Sequence, residues 1–166
     1  MFDLIGVRPR VAEVADRLAL RALVDSYAYA VDNRQPEQFA ELFCADGCLV
    51  MPHPAGRDRT KLVFDGSDGW ARAFAILAPF NATTHFVGNH LVSITGDDAT
   101  GETYCLAHEL YDKDGAQRMI VRCVRYTDSY VRVGGEWFFR TRDLSVDWLD
   151  DQVLHAPSGD RFWGAR

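Results

Sequence analysis

Residues Ala82–His90 read ATTHFVGNH, a β-prone run of threonine, phenylalanine and valine with one histidine, His85, inside it. This run opens the second half of the chain, and that half decides the fold. Thr83–Thr95 and Gly101–Tyr111 read as strands around the turn GDDATG. Gln117–Val133 and Glu136–Trp148 read as two more around Val133-Gly134-Gly135, each bounded by turn residues as long strands are.

The first half has a different period. From Arg10 to about Val31, Val11, Val14, Ala15, Leu18, Leu20, Leu23, Tyr27 and Val31 recur mostly at steps of three and four, the mark of an amphipathic helix. Pro36 opens a short second helix through Phe39, Leu42 and Phe43. Asp46-Gly47 then reads as a turn and Cys48–Met51 as a short strand. Pro52–Thr60 (PHPAGRDRT) is a loop, and Lys61–Phe64 a short strand. Asp65-Gly66-Ser67 caps a third helix, Asp68–Ala78, with Trp70, Phe74 and Leu77 on one side. Three helices followed by four long strands give an α+β class, with helices on one side of a curved, mainly antiparallel sheet. Such a sheet wrapped around a long helix is a cone with an apolar hollow. One domain over residues 1–148 is expected, followed by a tail, 149–166, whose Phe162 and Trp163 would pack over a pocket or a neighbouring subunit.

Composition narrows the function. The chain has 166 residues, 48% hydrophobic and 25% charged, enough for one ordinary globular core. A net charge of −6 without a Lys/Arg run argues against a nucleic-acid surface. No apolar run approaches the ~18 residues that a membrane span requires. The start, MFDLIGVRPR, lacks the parts of a signal peptide. Cys44, Cys48, Cys105 and Cys123 read as reduced, buried thiols of a cytoplasmic protein, and no second Cys/His pair at zinc spacing follows the first two.

Two stretches carry the chemistry. Tyr27–Asp32 (YAYAVD) ends the first helix, and a buried Asp32 there needs a partner, because an unpaired buried carboxylate is costly. His85 is the natural one, although a histidine in a strand is more often an ordinary core or surface residue. If Gly96 and Gly101 bound a four-residue loop, His108 opposes Asn89 and shares the face of His85, roughly 13 Å away. A loop of three or five residues sends it to the other face. His85 and His90 are five apart and face opposite sides. Tyr27 stands five residues before Asp32, as a core aromatic or as a donor to a developing oxyanion. Arg140 and Arg142 point the same way on the last strand, and Tyr104 shares the parity of His108.

A metal held by His85, His108 and Asp32 is disfavoured by their separation. There is no glycine-rich phosphate loop and no nucleophile motif. The expected chemistry is therefore metal-free and cofactor-free: general acid–base work by a histidine whose tautomer a carboxylate fixes.

These residues resemble the SnoaL-like branch of the nuclear-transport-factor-2-like (cystatin-like cone) superfamily over roughly Arg17–Trp148. The resemblance rests on YAYAVD, TTHFVGN, RYTDSYVR and GEWFFRTRDL. The pattern is similar to scytalone dehydratase, bile-acid 7α-dehydratase and hexachlorocyclohexane dehydrochlorinase. It implies that Asp32 pairs with His85, VDNRQ being especially like the dehydrochlorinase. It implies that Tyr27 takes the place of a tyrosine in the bile-acid enzyme, where the dehydrochlorinase has a lysine. His108 falls where the bile-acid enzyme has an acidic residue, near the second histidine of scytalone dehydratase. Arg142 matches the strand arginine facing the leaving chloride. Val31 departs from the pocket tyrosine of scytalone dehydratase, and LVMPHP lacks the base of the ketosteroid isomerases.

The expectation is a cofactor-independent lyase, a dehydratase-like elimination, or an isomerase. Its catalytic residues are Asp32, His85, Tyr27, His108 and Arg142. Trp70, Phe86, Tyr104 and Phe138 would line the site for a hydrophobic cyclic substrate, in a homo-oligomer, trimer or dimer. The alternative is a non-catalytic small-molecule binding or assembly module, including an accessory β-subunit of a ring-hydroxylating dioxygenase.

Overall fold

A computed structural model describes residues 11–53 and 61–154. The elements run α1 (Val11–Asp32), α2 (Pro36–Glu41), β1 (Phe43–Pro52), β2 (Lys61–Asp65), α3 (Gly66–Ala75), β3 (Ala82–Thr95), β4 (Asp98–Lys113), β5 (Ala116–Val133) and β6 (Glu136–Val153). The strands form one six-stranded sheet in the order β2-β1-β6-β5-β4-β3. Neighbours are antiparallel except β1 and β6, which run parallel. This is the α+β cone with a mainly antiparallel sheet that the element order implies. No helix among the described residues is long and apolar enough to cross a membrane.

The buried stripe of α1 (Leu20, Leu23, Val24, Tyr27, Ala30, Val31) packs into the hollow of the sheet, while Val14 and Leu18 of the expected stripe are exposed. There it meets Phe39, Phe43, Trp70, Tyr126, Tyr130 and Phe139. Full burial of a large apolar side chain is worth about 1.5–3 kcal/mol, so these rings carry much of the fold. Arg17 and Arg21 on the flank of α1 reach across to the carbonyls of Val92 (3.0 Å) and Gly88 (2.9 Å). They lock the helix onto β3, an edge strand, and occupy acceptors that such an edge otherwise exposes.

Several boundaries differ from the sequence reading. Phe43 belongs to β1, where it pairs with Phe139, and Asp46-Gly47 lies within that irregular strand. Helix α3 starts at Gly66, and Asp65 at its N-cap makes no side-chain cap. Strand β6 continues through Val153, so Leu149 does not begin a tail; residues 155–166, with Phe162 and Trp163, lie outside the described residues. Of the loop 52–60, positions 54–60 lie outside them too.

The pairing of β3 with β4 holds the consequential difference. Thr95 pairs with Asp98, which leaves a two-residue turn, Gly96-Asp97, instead of a four-residue loop. Gly96 has φ +62°, the left-handed value that the first position of a tight hairpin turn requires. Either loop length alone would leave His108 on the face of His85; the register shift between Val87 and His90 moves it off, bringing Thr84 opposite His108 and His85 opposite Ala107.

Candidate active site

Asp32 is the last residue of α1. A carboxylate is disfavoured at a helix C-terminus, where the backbone dipole is negative, and three donors compensate. The ring of His85 places Nδ1 2.7 Å from Oδ1, and the hydroxyl of Thr83 donates to the same oxygen at 2.9 Å. The backbone N–H of His85 donates to Oδ2 at 2.8 Å. Burial pushes the carboxyl of Asp32 up, but these bonds outweigh it and hold the group below its ordinary value. An ionised Asp32 accepts from Nδ1–H and so leaves Nε2 with the lone pair, the tautomer of a general base. Both side chains are mostly buried, 20% exposed for Asp32 and 10% for His85.

Arg34 completes this end. It stands in the left-handed region (φ 57°) just past the helix. Its Nη1 donates to the carbonyl of Val31 and to the hydroxyl of Thr83, both at 2.8 Å. It thereby caps the helix and fixes the hydroxyl that holds Asp32. Neither Thr83 nor Arg34 was singled out from sequence, because their roles depend on the pairing of α1 with β3.

Five residues before Asp32, roughly 7.5 Å along the helix, Tyr27 marks a second polar centre. The guanidinium of Arg142 has no exposed surface. Its Cζ lies 4.1 Å from the ring centre of Tyr27, 3.9 Å from that of Tyr126 and 4.6 Å from that of Phe139. Its Nε is 3.3 Å from Oδ1 of Asp128, without hydrogen-bond geometry. Among the described residues none of its three nitrogens has a hydrogen-bond partner. Burial opposes the charge of Arg142, and the facing Asp128 together with the oxygens of Tyr126, Tyr27 and Tyr130 more than restores it. Burial pushes the phenol of Tyr27 up to about 12, so it is a hydrogen-bond donor at neutral pH.

The other predicted site residues separate by face. Arg140 is exposed and ion-paired to Asp98 at 2.9 Å, while Arg142 is buried. A register shift where Ser129 pairs with Thr141 and Tyr130 with Phe139 breaks their shared parity. His108 pairs with Thr84 and Val121, in phase with the outer side of the sheet. Tyr104 is on that side as well, with Arg125 3.5 Å above its ring. Phe86, next to His85, alternates outward and is 68% exposed. Phe138 faces away from Phe139 and lines a surface concavity with Val131, Val133 and Arg140. That concavity and a second one beside Asp25, Tyr29 and Glu41 do not include Asp32, His85 or Arg142. Trp70 is buried, but within the aromatic cluster on Phe39 and Phe43 (5.4 and 4.7 Å).

What His108 does not supply, its neighbour offers. Glu109 is buried on the face of His85, opposite Thr83, and forms an ion pair with Arg122. Arg122 lies in the cross-strand row His85–Ala107–Arg122. Among the described residues no group of three or more His, Cys, Asp or Glu is arranged to hold a metal ion.

Comparison with known proteins is consistent with this architecture. The model of the SnoaL-like domain matches residues 12–143. An uncharacterised protein of Mycobacterium tuberculosis is 26% identical over 127 residues, 76% of this chain and 82% of that protein. The crystal structure of a type 2 hexachlorocyclohexane dehydrochlorinase superposes with a TM-score of 0.73 at 20% identity, covering 88% of this chain and 96% of that one. A structure from Novosphingobium aromaticivorans assigned as a scytalone dehydratase superposes at 0.68 with 22% identity, over 92% and 97%. At these identities the two superpositions establish the fold.

Proposed function

Because the chain belongs to the SnoaL-like domain family, we propose that it is a cofactor-independent lyase or isomerase acting on a hydrophobic cyclic small molecule, with Asp32–His85 as its general base. The observation that carries this reading is the 2.7 Å contact between Nδ1 of His85 and Oδ1 of Asp32, within the range of an oriented base. The names of the superposed structures, a dehydrochlorinase and an assigned dehydratase, favour elimination.

In that reaction Nε2 of His85 takes a proton from carbon next to an electron-withdrawing group. Asp32 stabilises the imidazolium that forms, as in other carboxylate–histidine pairs. The C–H electron pair becomes the new double bond while the bond to the leaving group breaks. A departing hydroxide takes the proton back and leaves as water, so no oxidant or reductant is consumed. In the isomerase variant the same proton returns at another carbon. The phenol of Tyr27 and the unpartnered N–H groups of Arg142 are the donors for the enolate oxygen or the leaving group.

The test is solvent exchange. Cyclic ketones are incubated in heavy water and α-deuteration is followed by proton NMR. The wild type is expected to catalyse exchange, with His85→Ala and Asp32→Asn slower by about 10²–10⁴-fold, the usual contribution of a positioned base. Exchange that persists in His85→Ala, or that the wild type never catalyses, overturns the reading.

One observation favours the second reading, a non-catalytic binding or assembly module: Arg142, Tyr130 and Phe139 have no exposed surface, so ligand contact requires side chains to move. Ligand binding without exchange would identify it. Assembly as a trimer or dimer belongs to both readings; Phe86 and Trp148, 68% and 52% exposed on the outer side, suit such a contact. Light scattering measures it.

A further inference from the structure

The deep end of the hollow has a charge arrangement that the base at Asp32 does not explain. Arg142 faces one compensating anion, Asp128, in the cross-strand row Val92–Gly101–Asp128–Arg142. Oδ2 of Asp128 accepts from the hydroxyl of Tyr130 at 2.9 Å and from Thr103 at 3.4 Å. Its Oδ1 faces Arg142. Gly101 is what lets Tyr130 lie across β4, since a Cβ there would stand 2.9 Å from its ring. Tyr130 in turn meets Nε2 of His90 at 3.3 Å. Burial, and after it the charge of Arg142, pushes His90 down to about 4, so this histidine brings no further positive charge at neutral pH. The cluster is thus one cation, one anion and neutral hydroxyl and imidazole groups. The guanidinium keeps its donors, with no net positive charge left to spend on an anion.

We infer that the Arg142–Asp128 pair makes this end of the site select an uncharged hydrogen-bond acceptor, a carbonyl oxygen on a flat apolar ligand, and reject a carboxylate of the same shape. A guanidinium carries five N–H donors and no acceptor, and those of Arg142 have no hydrogen-bond partner among the described residues. A carbonyl oxygen satisfies them without adding charge. A carboxylate would stand beside Asp128, with Asp32 only a turn and a half along α1, and like charges repel strongly in a medium of low dielectric. Tyr27, Tyr126 and Phe139 turn their faces to the guanidinium itself, so its surroundings are apolar and suit an apolar ligand frame. The inference rests on the same interior being the ligand site, and names its substrate class; it does not depend on the elimination chemistry.

Two probes of matched shape test it: 2-acetylnaphthalene, a neutral ketone, and 2-naphthoate, its carboxylate counterpart, titrated into the wild-type protein at neutral pH by calorimetry. A preference of tenfold or more for the ketone is expected. A smaller ratio, a preference for naphthoate, or no binding of either probe overturns the inference. Asp128→Asn removes the anion and keeps the shape, and is expected to move the ratio toward naphthoate by at least tenfold. If that variant does not fold, the double variant Arg142→Met/Asp128→Asn, which leaves neither charge, is expected to bring the ratio near one; an unchanged ratio counts against the assignment. His85→Ala separates this inference from the lyase reading. Lost exchange with the ketone preference intact concerns the base alone. Wild-type exchange without the preference overturns the charge selection alone.

Discussion

Two charge pairs lie beside the C-terminal half of α1, one at Tyr27 and one at Asp32, and they differ in how completely they are bonded. Asp32 and His85 are partly open to solvent, and three hydrogen bonds converge on the carboxylate. Asp128 and Arg142 are cut off from solvent, yet among the described residues the guanidinium has no hydrogen-bond partner and one carboxylate oxygen accepts no hydrogen bond. The first pair is a finished structure whose remaining free atom, Nε2 of His85, is its functional one. The second holds donor capacity in reserve within a ring of aromatic side chains. Both are charge pairs, so hydrogen bonding rather than charge distinguishes a base that is oriented from a cation that waits for an acceptor.

The largest expected effect lies at the buried pair. Asp128→Ala leaves Arg142 charged and uncompensated, and should destabilise the chain by about 3–5 kcal/mol, whereas replacing both residues by apolar ones of similar volume should be nearly neutral. Urea unfolding of the two single variants and the double variant measures the difference as a coupling energy. If Asp128→Ala costs less than about 1 kcal/mol, the guanidinium has another source of compensation and the contrast fails.

Asp32 should come next, with a pH dependence opposite in sign to that of Asp128, whose carboxyl is pushed up by burial. Asp32→Asn weakens charge-assisted hydrogen bonds and is expected to cost about 2 kcal/mol at neutral pH. In the folded chain burial pushes this carboxyl up, but the ring and N–H of His85 and the hydroxyl of Thr83 hold it below its ordinary value. As pH falls, the unfolded chain therefore takes up the proton first. The stabilisation is complete above about pH 4, the ordinary aspartate range, and is lost as pH drops through the lower folded-state value. Unfolding curves of wild type and variant should converge only on the acid side. Convergence between pH 5 and pH 7 would mean that Asp32 is not the depressed group.

The readability of each part follows from how local its signal is. Helix periodicity places Tyr27 and the end of α1, and strand parity places His85, because each needs only its neighbours in sequence. Asp128 was also within reach: in RYTDSYVR it is in phase with Val124, Tyr126 and Tyr130, the buried side of β5. An aspartate in a strand reads as a solvent-facing residue, and only the pairing of β5 with β6 shows Arg142 opposite it. The facing of Arg140 was not readable, since a single bulge on β6 reverses it and no glycine or proline announces the bulge. The hairpin register is a case between these. Gly96-Asp97 is a competent two-residue turn, but the second glycine, Gly101, makes a longer loop equally plausible. Gly101 is in fact a strand residue kept small by the ring of Tyr130.

That register supplies the smallest and most discriminating pair of variants. His108 and Glu109 are consecutive, so the pleat of β4 sends one outward and the other into the hollow, and a shift of one residue would exchange them. In the observed register Glu109→Gln removes the carboxylate from Arg122, whose side chain is 28% exposed; a pair screened to that degree is worth at most about 1 kcal/mol. His108→Ala alters only the outer side, and should shift stability by no more than about 0.5 kcal/mol. Its deuterium-exchange rate should stay within about twofold of wild type, because no group near His85 is lost. Glu109→Gln should instead alter the rate as well, since Glu109 opposes Thr83, whose hydroxyl holds Asp32. If the two variants exchange roles, with His108→Ala slowing exchange and Glu109→Gln silent, the register shift between Val87 and His90 is absent and His108 returns to the face of His85. The outcome is read from the order of two small effects, which a general loss of stability would not invert.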